Sequence, residues 1–136
     1  MKINAKQIGF NRPFNLKPSV KIYEKANVML IQTLKMQAAI TKMQSLDPTN
    51  NRYADVLIDM LDKENTYIDS GLDFLKDILK LSPKQLEVVQ DHIASAAALA
   101  DYISYVIQRI KGYSENQIDL ENKKAKEAQA NQDPKK

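Results

Sequence analysis

The feature that most constrains this chain is its lack of interruption: residues 20 to 44 contain neither proline nor glycine. Only three glycines and five prolines occur in 136 residues. A sheet-rich or doubly wound fold needs a turn every few residues, and so sparse a supply of turn formers cannot provide them. The composition, 43% hydrophobic and 27% charged, suits one globular domain rather than two. An all-α fold is therefore expected: a compact bundle of three to four long helices, with an extended N-terminal arm and a polar, disordered C-terminal tail.

The breakers divide the chain into an arm over residues 1 to 18, a helical domain over 19 to 112 and a flexible tail over 113 to 136. The arm holds Gly9, Pro13 and Pro18, shows at most a short strand alternation, and carries Lys2, Lys6, Arg12 and Lys17 without any acid. Ser19 is placed to cap the first helix. Apolar residues there run around the circumference, with Tyr23, Leu30, Ile31, Leu34 and Ala38 near one spacing and Val28, Met29, Met36, Ile40 and Met43 on other sides. Such a helix must be central or covered by a partner.

Asp47-Pro48-Thr49-Asn50 reads as a turn. Tyr53 to Leu79 then repeats its apolar residues in steps of three and four, which predicts either one bent helix of about 30 residues or two sharing a face. Gly71 is the expected break. Ser82-Pro83-Lys84-Gln85 is a capping box with proline at the first helical position, and one helix is expected from there to Gly112, a left-handed terminator. Past Ser114 and Gln117, a weaker box, the residues are too polar to bury, and a frayed or disordered segment is expected.

Chemistry is thinly represented. With no cysteine and a single histidine, His92, thiol nucleophiles, Cys-based zinc sites and His-rich metal sites are hard to build. The row Asp55, Asp59, Asp62, Asp69, Asp73 and Asp77 could be a cation site, but without Glu-x-x-His pairs it reads more simply as a solvated face. No catalytic residue, metal or cofactor is expected. Tyr102, Tyr105 and Tyr113 with Arg109 offer a face for stacking nucleic-acid bases, or an interface rim. A net charge of +3 is small for a nucleic-acid binder. The N-terminus lacks a secretory pattern, and no apolar run approaches a membrane span, so neither membrane nor nucleic acid is expected as a partner.

The candidate contact residues are Phe10 and Phe14 on the arm, as aromatic anchors for a neighbouring chain, and Met29, Leu30, Leu34 and Met36 on the first helix. Methionine adapts to varied partners. The basic arm and the acidic block over residues 47 to 81, with eight acids against four bases, suit self-association.

The stretch GLDFLKDILKLSPKQLEVV (71 to 89), with the long helix before it and the lysine-rich tail, resembles the small tail assembly chaperones of long-tailed bacteriophages (siphoviruses). The likeness is to the lactococcal type encoded before the tape measure protein, and is strongest over residues 53 to 111. The resemblance implies a non-enzymatic, oligomeric protein of the host cytoplasm, not part of the mature virion. It would coat the hydrophobic tape measure protein until tail-tube protein displaces it. It also implies a longer form made by ribosomal frameshifting. Pro134-Lys135-Lys136 fits a slippery heptamer, since a proline codon can end in A, whereas Asn122 before Lys123 and Lys124 cannot supply one. The alternative reading is a helical nucleic-acid-binding accessory protein.

Overall fold

The computed structural model describes residues 1 to 131, and among these it contains five α-helices and a two-stranded sheet. The order is β1 (Lys2–Ile3), a 3-10 turn (Lys6–Ile8), β2 (Phe14–Asn15), α1 (Val20–Gln44), α2 (Tyr53–Leu79), α3 (Pro83–His92), α4 (Ala96–Ile110) and α5 (Glu115–Asn131). The all-α reading holds.

Local signals set most boundaries. Ser19 is extended and its Oγ accepts from the Ile22 amide at 3.2 Å. Ser82 and Gln85 form the expected reciprocal box, at 2.9 and 3.2 Å. Gly112, at φ 99°, ends α4, and the Tyr113 amide reaches back to the Gln108 carbonyl at 3.0 Å, the closing bond of a Schellman end. The end of α2 uses the same device without glycine: Lys80 takes φ 54°, and the Leu81 amide bonds the Lys76 carbonyl at 3.0 Å. Leu81 is buried just beyond it, the hydrophobic contact that accompanies such ends.

Helices α1, α2 and α4 pack on one another around Met29, Tyr67, Leu75, Ile103 and Val106. Thr33 is the one polar residue buried with them among the described residues. Its hydroxyl donates to the Met29 carbonyl and shares a 2.9 Å bond with the Tyr67 hydroxyl, so neither group is left unpaired. Burial raises the pKa of that tyrosine.

Four expectations are corrected. Gly71 does not break α2, which is continuous. A Cβ there would lie 2.6 Å from Ile103 Cδ1 and 3.3 Å from Leu99 Cδ2, so the glycine admits α4 instead. The single helix expected after Ser82 is two. The chain turns extended at Ile93, and Ser95 Oγ caps α4 by accepting from the Ala98 amide at 3.1 Å.

The arm does not reach outward. β1 and β2 pair antiparallel, with Ile3 opposite Phe14, and Ile3, Ala5, Ile8 and Leu16 are almost wholly buried. Gly9, at φ 101°, lets the turn lie against Val88 and His92 of α3. The polar segment after Gly112 is also ordered into a helix as far as Asn131. Its Glu, Lys, Ala and Gln are strong helix formers, and Ser114 and Gln117 form a second reciprocal box at 2.8 and 3.1 Å. The slippery-site residues 134 to 136 lie outside the described residues.

Candidate interaction surface

α1 is apolar on two opposite sides. Its inner row, Ala26, Met29, Thr33 and Met36, recurs in steps of three and four and faces the core. At 100° per residue, Ile31 and Ala38 point nearly the other way, flanked by Val28 and Leu34. Val28, Ile31 and Leu34 are 57%, 52% and 55% exposed. On α2, Ile58 and Leu61 are likewise 57% and 45% exposed.

Val28, Ile31 and Leu34 lie along the part of α1 that packs on the main core, whereas Ile58 and Leu61 lie on the less supported part of the hairpin. The α1–α2 hairpin continues past Met36 and Tyr67 toward the turn at residues 45 to 52. Its buried residues there, Ala39, Met43 and Val56, lie outside the main core cluster. The turn itself is tied by Asp47, whose Oδ1 accepts from the Thr49 amide and hydroxyl, each at 2.9 Å. Those bonds hold its carboxyl below the usual pKa, the backbone one first.

Closer to the core, α1 and α2 border an open groove of about 470 Å³ whose apolar lining is Val28, Met29 and Phe74. Lys21 and Lys25 line one wall, Asp73 and Asp77 the other, and Lys25 and Asp77 pair across it. Both partners are solvent-exposed, so the pair contributes little stability and can be opened.

The residues expected to make contacts separate on this geometry. Leu34 is on the open surface, and Leu30 is half-buried against the core. Met36 is a core residue, 3% exposed, and Met29, equally buried, also lines the groove. Phe10 and Phe14 pack edge to face with each other, centroids 5.1 Å apart, half-buried against the core. They anchor the arm to its own domain. Ile31, Ile58 and Leu61 belong to the exposed set. The even apolar distribution of α1 had signalled Ile31, whereas only the three-dimensional pairing isolates the two on α2.

The tyrosine face is engaged within the chain. Tyr102 donates to the Asn4 carbonyl at 2.7 Å, and Tyr105 accepts from the Asn4 amide at 2.9 Å and donates to Glu115. Arg109 donates to the Lys2 and Tyr113 carbonyls at 3.0 and 2.9 Å. Burial raises the pKa of both tyrosines, Tyr105 to about 12 with help from its bond to Glu115. Of the set, Tyr113 stays exposed.

The aspartate row lies along the solvent side of α2, with Asp59 bonded to Lys63 at 2.8 Å. Among the described residues no three His, Cys, Asp or Glu side chains converge as a metal site would need, and no helix is long and apolar enough to cross a membrane. His92 sits beside Gly9.

Compared with known proteins, residues 1–129 match the family model of phage tail assembly chaperone proteins, TAC. No curated protein and no solved structure matches the chain.

Proposed function

Since the chain belongs to the phage tail assembly chaperone family, we propose that it oligomerises and coats hydrophobic helical segments of the tape measure protein during tail assembly, in the host cytoplasm and outside the finished virion. The role is holding rather than catalysis, and it needs no cofactor. The observation that carries this reading is the second apolar side of α1. Val28, Ile31 and Leu34, with Ile58 and Leu61 on α2, leave about half of each side chain in water. Covering the exposed half of such a side chain is worth roughly 1 kcal/mol. Five of them supply enough gross apolar burial for reversible association, which a protein that must later release its client requires.

Self-association draws on the same surplus and on the contrast between a basic arm and an acidic α2. A frameshifted longer form that extends the chain past α5 would recruit tail-tube protein. The helical nucleic-acid-binding alternative loses its motive, since Tyr102, Tyr105 and Arg109 are occupied in holding the arm and α5.

Co-expression with the tape measure protein tests the proposal. The intact chain is expected to keep the tape measure protein soluble and to co-purify with it. The Ile31→Asp/Leu34→Asp variant, substituted only at exposed positions and keeping its helical circular dichroism, is expected to lose it. A folded variant that still holds the client would exclude this surface.

A further inference from the structure

Two residues on one face of α4, Tyr105 and Arg109, each touch both the first and the last parts of the described chain, and Tyr102 beside them touches the first. Tyr105 Oη is shared between the Asn4 amide, at 2.9 Å, and the Glu115 carboxylate at the start of α5. Arg109 holds the Lys2 carbonyl on β1 and the Tyr113 carbonyl ahead of α5, and its Nε lies 3.3 Å from Glu115. Tyr102 adds the bond to the Asn4 carbonyl and, with Tyr105, lines the same cavity as Ile118.

Apart from this cluster, α5 has little to hold it. Ile118 is its buried apolar residue, while Leu120 is 53% exposed. The segment joining it to α4 turns at Gly112, at a left-handed φ of 99°, where a Cβ would meet nothing within 4 Å.

From this arrangement we propose that the Tyr102–Tyr105–Arg109 face is a joint coupling α5 to the N-terminal hairpin, so that drawing α5 away also loosens residues 2 to 16. A hydroxyl that loses its Glu115 acceptor is no longer oriented toward the Asn4 amide. An arginine that loses Glu115 and the Tyr113 carbonyl keeps only the Lys2 carbonyl to fix it, so its hold on β1 is weakened. Anything that takes hold of α5, or of chain continuing past it, is thereby felt at the arm and at its seat on α3. The inference does not depend on what α1 binds.

Amide hydrogen exchange on the full chain tests the coupling. Ile118→Asp unseats α5 at a residue whose side chain makes none of the hydrogen bonds of the joint. Exchange at residues 2 to 16 is expected to rise roughly tenfold, the size of an ordinary intramolecular coupling, while residues 67 to 78 of α2 stay protected. Faster exchange at 115 to 121 with an unchanged arm would overturn the proposal. If α2 loses protection as well, the milder Glu115→Gln decides: a rise in both segments supports the joint, and no change at the arm refutes it. Coupling is reciprocal, so Ile3→Ala must speed exchange at 115 to 121, and a failure to do so also counts against it.

Discussion

The two ends of the α1–α2 hairpin are built from the same helices and treated in opposite ways. Near Ala26 and Ile78 the pair is closed by α4 and the neighbouring arm, and charged side chains that reach this end are given partners, as Lys111 is by Asn27 at 2.6 Å and the Tyr23 ring at 4.3 Å. Toward the turn at residues 45 to 52 the buried residues of the pair, Ala39, Met43 and Val56, lie outside the main core cluster, and Ile58 and Leu61 stay exposed. Burial of one face is what stabilises a helix in a small domain, so the inner row of α1 accounts for the fold. Its outer row is surplus to the fold and available to a partner.

That contrast predicts unequal responses to substitution. In the closed end, Ile103→Ala is expected to cost roughly 2–5 kcal/mol, because Ile103 is fully buried and the cavity beside Gly71 cannot collapse completely. Ile31→Ala, on the outer side, is expected to stay within about 0.5 kcal/mol. Urea denaturation monitored by circular dichroism measures both, and similar losses would erase the distinction between the rows.

Next in size are the two left-handed glycines. Gly9→Ala combines an unfavourable φ with a Cβ 2.9 Å from Val88 Cγ1 and should lose roughly 1–2 kcal/mol or more. Gly112→Ala meets open space and should lose only about 1 kcal/mol. Equal losses in thermal melts would mean that the contact of the arm with α3 contributes nothing beyond backbone strain.

The smallest expected effect is alkaline. Tyr105 holds its proton more tightly in the folded chain than in the unfolded one, its pKa raised to about 12 against about 10 in a free side chain. The folded state therefore binds more protons above pH 10. Its contribution is complete below that pH and is lost as pH rises toward 12. Tyr102, Glu115 and Arg109 surround it, and α1 contributes no titratable partner to it. Tyrosinate absorbance at 295 nm should show a late-titrating class that Tyr105→Phe diminishes, with near-neutral stability little changed by pH.

How far the sequence speaks for itself differs between the same two ends. Capping side chains announce helix starts because they act on amides two or three residues away, and a glycine announces a left-handed end, so Ser19, Ser82 and Gly112 are legible. Ser95 was hidden in an alanine run whose propensity favours continuing the helix, and the chain breaks there so that α4 can return along α1 and α2. Gly71 looks like a breaker in one dimension, and only the Ile103 side chain across the interface explains it. That the arm packs on its own domain is not legible, because Ile3, Ala5, Ile8 and Leu16 are too few and irregular to show a period, although all four are almost wholly buried in the core cluster. Of the candidate contact residues on α1, Leu34 is exposed, whereas Met29 and Met36 belong to the inner row, to which periodicity alone could not assign them.

The central claim, that the outer side of α1 receives the client, is tested most directly by hydroxyl-radical footprinting of the chain with and without the tape measure protein. The account predicts that labelling of Val28, Ile31 and Leu34 falls on binding, while Val88 and Leu120, exposed elsewhere at 40% and 53%, keep theirs. Unchanged labelling of Ile31 and Leu34 in a complex that demonstrably forms would contradict it.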